Sequence, residues 1–138
     1  MIVRTALIKG DEHMTRNKKV LMLGLDPKVV DYSHLAVKLD EPTLRAGLAA
    51  DEKRLRDLGY DAKWLLIDRG ETAEPVVSTA LNEKAFDCVL IGAGIRTIPP
   101  LFLLFEKLIN LVHEKAPRAK ICFNTVPEDT AESVQRWV

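Results

Sequence analysis

The chain has 138 residues, the size of one ordinary domain, and twenty Lys+Arg balance twenty Asp+Glu to a formal net charge of zero. With 47% hydrophobic and 29% charged residues, its composition is that of a globular protein and excludes a disordered one. Zero net charge removes the general attraction toward nucleic acid or an anionic membrane surface, and no apolar run reaches the ~18 residues of a membrane span, so neither partner is expected.

The segment Met1-Ile2-Val3-Arg4-Thr5-Ala6-Leu7-Ile8-Lys9 has too short an apolar stretch for a signal peptide. Residues 1–18 read as an N-terminal extension or a short edge strand. Met14-Thr15-Arg16-Asn17-Lys18-Lys19 reads equally as a polar start, which leaves Met1 and Met14 as alternative beginnings. Residues 19–138 are expected to form a single α/β domain.

Residues 20–25, Val-Leu-Met-Leu-Gly-Leu, are continuously apolar over the length of a strand, the pattern of a strand covered on both faces. A long irregular stretch follows from Asp26 to Asp40, and a connection of that length inside a compact domain usually has a function. A helix is predicted over 41–58, capped by Asp40, with Pro42 in its first turn and Gly59 at its close. Leu44, Leu48, Leu55 and Leu58 form its apolar face. The second strand is 62–67, ending at Asp68-Arg69-Gly70, and the next helix covers 72–84 with Val77, Ala80 and Leu81 inward. The third strand, 86–91, ends in Gly92-Ala93-Gly94-Ile95-Arg96-Thr97, after which Pro99 and Pro100 start a helix to Lys115. The fourth strand is 119–123. A last helix, opened by a capping-box spacing at Thr125-Val126-Pro127-Glu128, runs to Val138 and buries Ala131, Val134 and Trp137.

Apolar strands alternating with helices imply parallel strands joined by crossovers. The expected architecture is a three-layer doubly wound α/β domain with a mostly parallel sheet in strand order 2-1-3-4 and helices on both faces. That order is similar to flavodoxin-like and Rossmann-like sheets. The two cysteines, Cys88 and Cys122, each lie in an apolar run and read as structural thiols of a protein in the reducing cytoplasm.

In such a sheet, ligands bind beyond the carboxyl ends of the strands where the strand order reverses, here between strands one and three. Two glycines and a helix start make Gly92, Gly94, Arg96 and Thr97 candidates for holding an anionic small molecule, with Asn124 and Thr125 orienting it. The structural alternative is a tight turn with Arg96 paired to Asp26 or Asp68. Asp26, Asp68 and His34 are the candidates for acid, base or metal-ligand roles in a small hydrolase or transferase. No metal or cofactor is assigned, and whether the chain is an enzyme stays open.

Known motifs fail at these turns. A dinucleotide fingerprint is replaced by Gly24-Leu25-Asp26-Pro27-Lys28, and no phosphate-binding Gly-x-x-x-x-Gly-Lys-Ser/Thr is present. Response-regulator receivers carry a phosphate-accepting Asp after the third strand and an acidic pair after the first; this chain has Gly92-Ala93-Gly94 and a single Asp26. From Gly59 onward the layout resembles a cobalamin-binding domain, a family whose cobalt-ligating His lies in Asp-x-His-x-x-Gly. Asp31-Tyr32-Ser33-His34 is one residue longer and lacks the glycine, so the resemblance implies the scaffold and not the cofactor.

The helix after Pro100 is apolar over roughly half its circumference, against a usual stripe of about 100°. Phe102, Leu103 and Ile109 are therefore expected at an interface of a homo-oligomer. A receiver-like or cobalamin-domain-like scaffold acting as a non-catalytic interaction module through this helix is the competing reading to the ligand-binding domain.

Overall fold

The computed structural model describes residues 17–35 and 38–138; residues 1–16 of the expected extension or edge strand, and both alternative starts, lie outside them. Four strands, β1 (Lys19–Leu25), β2 (Asp61–Ile67), β3 (Cys88–Ile91) and β4 (Lys120–Phe123), form one sheet in the order β2-β1-β3-β4. All three pairings are parallel. The helices are α1 (Glu41–Asp57), α2 (Ala73–Glu83), α3 (Ala93–Arg96), α4 (Phe102–Lys115) and α5 (Thr130–Gln135). The order 2-1-3-4 and the helices on both faces agree with the reading of the strand pattern.

The central β1 is buried from Val20 to Leu25, as a strand covered on both faces must be. Its side chains alternate between two cores. Leu21, Leu23, Leu25, Val89 and Ile91 pack with Val77 and Leu81 of α2 and with Leu104, Leu108 and Val112 of α4. Val20, Met22, Cys88, Leu90 and Cys122 pack on the other face with Leu55 of α1 and with Ala131 and Val134 of α5. This second core is the thinner, because α1 buries only Leu55.

The caps of α1 fall where the residues place them, whereas the expected Thr125–Glu128 box does not form, Thr125 bonding the Asp129 carboxylate instead. Asp40 Oδ1 accepts the Thr43 N–H at 2.9 Å to start α1, and Gly59, at φ 103°, turns the chain after it. Leu58, expected on the apolar face, is the C-cap and is exposed. A larger departure precedes α4. The helix does not begin at Pro99: a separate short α3 comes first, then Ile98 is extended (φ −98°, ψ 111°) and Pro99–Leu101 form a single 3-10 turn. Proline disfavours helical geometry in the residue before it, which is why Ile98 interrupts the helix. The last helix also ends earlier than expected, at Gln135, and Trp137 is exposed rather than buried.

The buried thiols of Cys88 and Cys122 approach to 3.4 Å. Their strands place Cys88 opposite Lys120 and Cys122 opposite Leu90, two residues out of register. With a rise of ~3.3 Å per residue and strands ~4.8 Å apart, the two Cα atoms are about 8 Å apart. A disulfide spans at most ~7 Å. Its hydrogen bond to Cys122 and its burial push the Cys88 thiol up, and both thiols are buried away from an external oxidant. The native protein incubated with oxidised glutathione should retain both thiols, each titrating only after denaturation; loss of two hydrogens from the native protein by mass would contradict this geometry.

Candidate functional site

A cavity of about 190 Å³ opens at the carboxyl ends of β1 and β3, the reversal point of the strand order. Its origin is visible in the alternation of side chains. On the α1 face of the sheet, the row Val20-Met22 continues to Gly24 and the row Cys88-Leu90 continues to Gly92, so the last rung of both central strands has no side chain. Over these glycines stands the first half of α1, with Leu44, Leu48 and Asp51 lining the cavity. Trp64 of β2 and Pro127 close the sides, Ala93, Gly94, Thr97 and Ile98 contribute from α3 onward, and Val30, Leu35 and Leu39 cover it from the 26–40 connection.

Both floor glycines are sterically constrained. A Cβ on Gly24 would meet Trp64 Cζ3 at 3.0 Å, and one on Gly92 would meet the Leu23 carbonyl oxygen at 3.2 Å. The Trp64 ring is itself held: its Nε1–H donates to Leu48 O at 2.8 Å, and its backbone N–H donates to Glu52 Oε2 at 2.9 Å.

One polar chain runs along the wall. Asn124 is buried; its Oδ1 accepts the Ala93 N–H at 2.9 Å and its Nδ2 donates to Thr130 Oγ1 at 3.0 Å. The Thr130 hydroxyl lies 2.9 Å from both Asp51 Oδ2 and Pro127 O and donates between them. Among the described residues Asp51 is the one charged residue of the lining. Burial pushes its carboxyl up to about 6, the Thr130 hydrogen bond opposing; Glu128 and Asp129 raise it further and Arg54 lowers it.

No family model matches the chain, and no curated protein matches its sequence. The residues must therefore be read from their geometry alone. Gly92, Gly94, Thr97 and Asn124 do line the cavity, although the Thr97 hydroxyl donates internally to Ala93 O at 2.6 Å. Arg96 does not line it. Its Nη2 donates to Asn124 O at 2.6 Å and its guanidinium lies 5.8 Å from the Phe123 ring centroid, and it pairs with neither Asp26 nor Asp68. Thr125 bonds through its N–H and hydroxyl to the Asp129 carboxylate, away from the lining.

Asp26 and Asp68 follow the paired ends of β1 and β2, Leu25 and Ile67, but each carboxylate is engaged by its own turn. Asp26 Oδ1 accepts the Lys28 N–H at 2.9 Å and pairs with Arg45 at 3.3 Å. Asp68 accepts from Thr72 and Gly70, and the Thr72 hydrogen bonds hold its carboxyl below the usual range. The His34 side chain lies outside what is described. Among the described residues no group of three or more His, Cys, Asp or Glu is placed to hold a metal.

Asp51, Thr130 and Trp64 were not among the expected site residues. Asp51 had a signal: it sits on the helix face of Leu44, Leu48 and Leu55, where a charge is out of place. In the unfolded chain its carboxyl ionises near 3.8, and in the folded chain near 6. Between those values the native state binds a proton that the unfolded state has lost, so raising the pH through this window costs stability, fully lost above it. The full displacement corresponds to about 3 kcal/mol, which the partial exposure of the carboxyl reduces to about 1 kcal/mol. Asp51→Asn should thus be more stable than wild type at pH 7.5 and not at pH 4, by urea denaturation. A difference that does not change with pH would contradict it.

Proposed function

We propose that the protein is a ligand-binding domain whose crevice holds a small, predominantly apolar molecule carrying one polar head. The observation that supports this is the cavity of about 190 Å³ at the strand-order reversal, walled by Leu35, Leu39, Leu44, Leu48 and Trp64 with one carboxyl at Asp51. It exceeds the ~150 Å³ of an apolar cavity that holds benzene. The position is the one where open parallel sheets bind ligands. An anionic ligand held by Arg96 is supported less well, since that guanidinium is engaged by Asn124 O and faces Phe123. A hydrolase or transferase built on Asp26 and Asp68 gains nothing from the geometry, because each carboxylate is engaged by its own turn. Two buried free thiols support a reducing, cytoplasmic setting, and among the described residues no helix is long and apolar enough to cross a membrane.

The test uses Trp64 as reporter. In a Trp137→Phe variant, benzyl alcohol should change Trp64 emission saturably and raise the melting temperature. Leu39→Ser should weaken that binding by about tenfold, the value of one lost Leu contact. Absence of any saturable change at millimolar probe removes the reading.

A second property is self-association through the start of α4, where adjacent Phe102 and Leu103 are 58% and 59% exposed. Ile109, expected beside them, packs against the core instead. Two neighbouring large apolar side chains in water favour an interface with a second copy. Equilibrium sedimentation should show concentration-dependent association that Leu103→Glu abolishes; a monomer at high micromolar concentration would eliminate this interface.

A further inference from the structure

We propose that the crevice selects an apolar molecule bearing a protonated amine, with Asp51 seating the cation; the proposal rests on the ligand-binding reading of the crevice. Among the described residues Asp51 is the single charged side chain of the lining. Its Oδ2 takes the Thr130 hydroxyl, whereas its Oδ1 has no partner among the described residues and so keeps its acceptor capacity. Among the described residues no cation forms an ion pair with it: the nearby Arg54, which acts on it only at a distance, is paired with Glu132 at 2.8 Å. Glu128 and Asp129, on the turn beside lining residue Pro127, add negative potential to the same wall.

The other polar side chains of the lining are engaged elsewhere. Asn124 is bonded at both ends of its amide, and Trp64 Nε1–H is taken by Leu48 O. Arg96, the cation expected to face the site, donates to a backbone carbonyl instead. An ammonium group therefore meets a free carboxylate oxygen in an apolar, partly dehydrated setting, where a charge-assisted hydrogen bond is at its strongest. A carboxylate or phosphate meets like charge. The elevated proton affinity of Asp51 agrees with a carboxylate lacking a counter-ion.

The experiment compares three probes with the same ring and different heads, benzylamine, benzyl alcohol and benzoate, by amide chemical-shift titration at pH 7.5. Benzylamine should bind about tenfold more tightly than benzyl alcohol, a difference of about 1.4 kcal/mol, and benzoate weakest of the three. In Asp51→Asn the advantage of the amine should disappear while benzyl alcohol binds as before. Repeating the wild-type titration at pH 5, where Asp51 takes up a proton, should shrink the advantage without any mutation and guards against a variant that fails to fold. Equal binding of amine and alcohol, or preference for benzoate, overturns the amine assignment and leaves the crevice reading intact. Binding of none of the three overturns both.

Discussion

The site depends on a missing rung. Along the α1 face of the sheet, β1 and β3 stack Val20 beside Cys88 and Met22 beside Leu90, and then both strands reach glycine. Two more side chains at Gly24 and Gly92 would extend the core to the end of the sheet. Each would be crowded, by the Trp64 ring over one and the Leu23 carbonyl against the other. The sheet therefore ends in bare backbone while α1 continues above it, and the space between is the cavity. Core interiors are otherwise packed to near crystal density, so a void of this size needs a steric cause, and here it has one.

A void beneath half a helix must be bridged, and polar contacts do much of the bridging. The chain from Ala93 N–H through Asn124 and Thr130 to Asp51 joins α3, the end of β4, α5 and α1. Leu48 O and Glu52 reach Trp64 on β2 from the same side of α1. Each bond is individually modest, about 1 kcal/mol, but breaking one strands a partner in a partly buried setting. Asp51 is the weak member, because its charged form is disfavoured there. That tension is tolerable if the carboxylate meets a cation when the site is filled.

Much of the scaffold was legible because apolar strands and their separators follow simple periods. Strand order, the alternation of cores and the Asp40 cap all follow from local patterns in the residues. What escaped was direction. The glycine-rich turn after β3 marks the correct end of the sheet, but nothing in Gly92-Ala93-Gly94-Ile95-Arg96 tells which way the guanidinium turns. Position four of a four-residue helix points it toward Phe123 and the Asn124 carbonyl. Asp51 escaped for the opposite reason. A lone carboxylate in a leucine stripe reads as noise until the sheet beneath it is seen to end in glycine.

The uneven packing of α1 gives the site a dynamic consequence. Leu55, in its last turns, is fully buried in the second core, whereas Leu44 and Leu48 line the cavity and are only partly buried. The first turns are held by the Asp40 cap and by Arg45 bridging Asp26 and Glu41, interactions that water weakens. Local opening free energy tracks buried apolar contact, so the half of α1 above the cavity opens at lower cost than the half below it. The 26–40 connection is tied to this same half through Asp26–Arg45 and carries Val30, Leu35 and Leu39 into the lining. The elements over the cavity are thus those with the least core to lose, while the sheet and the larger core on its other face are packed throughout.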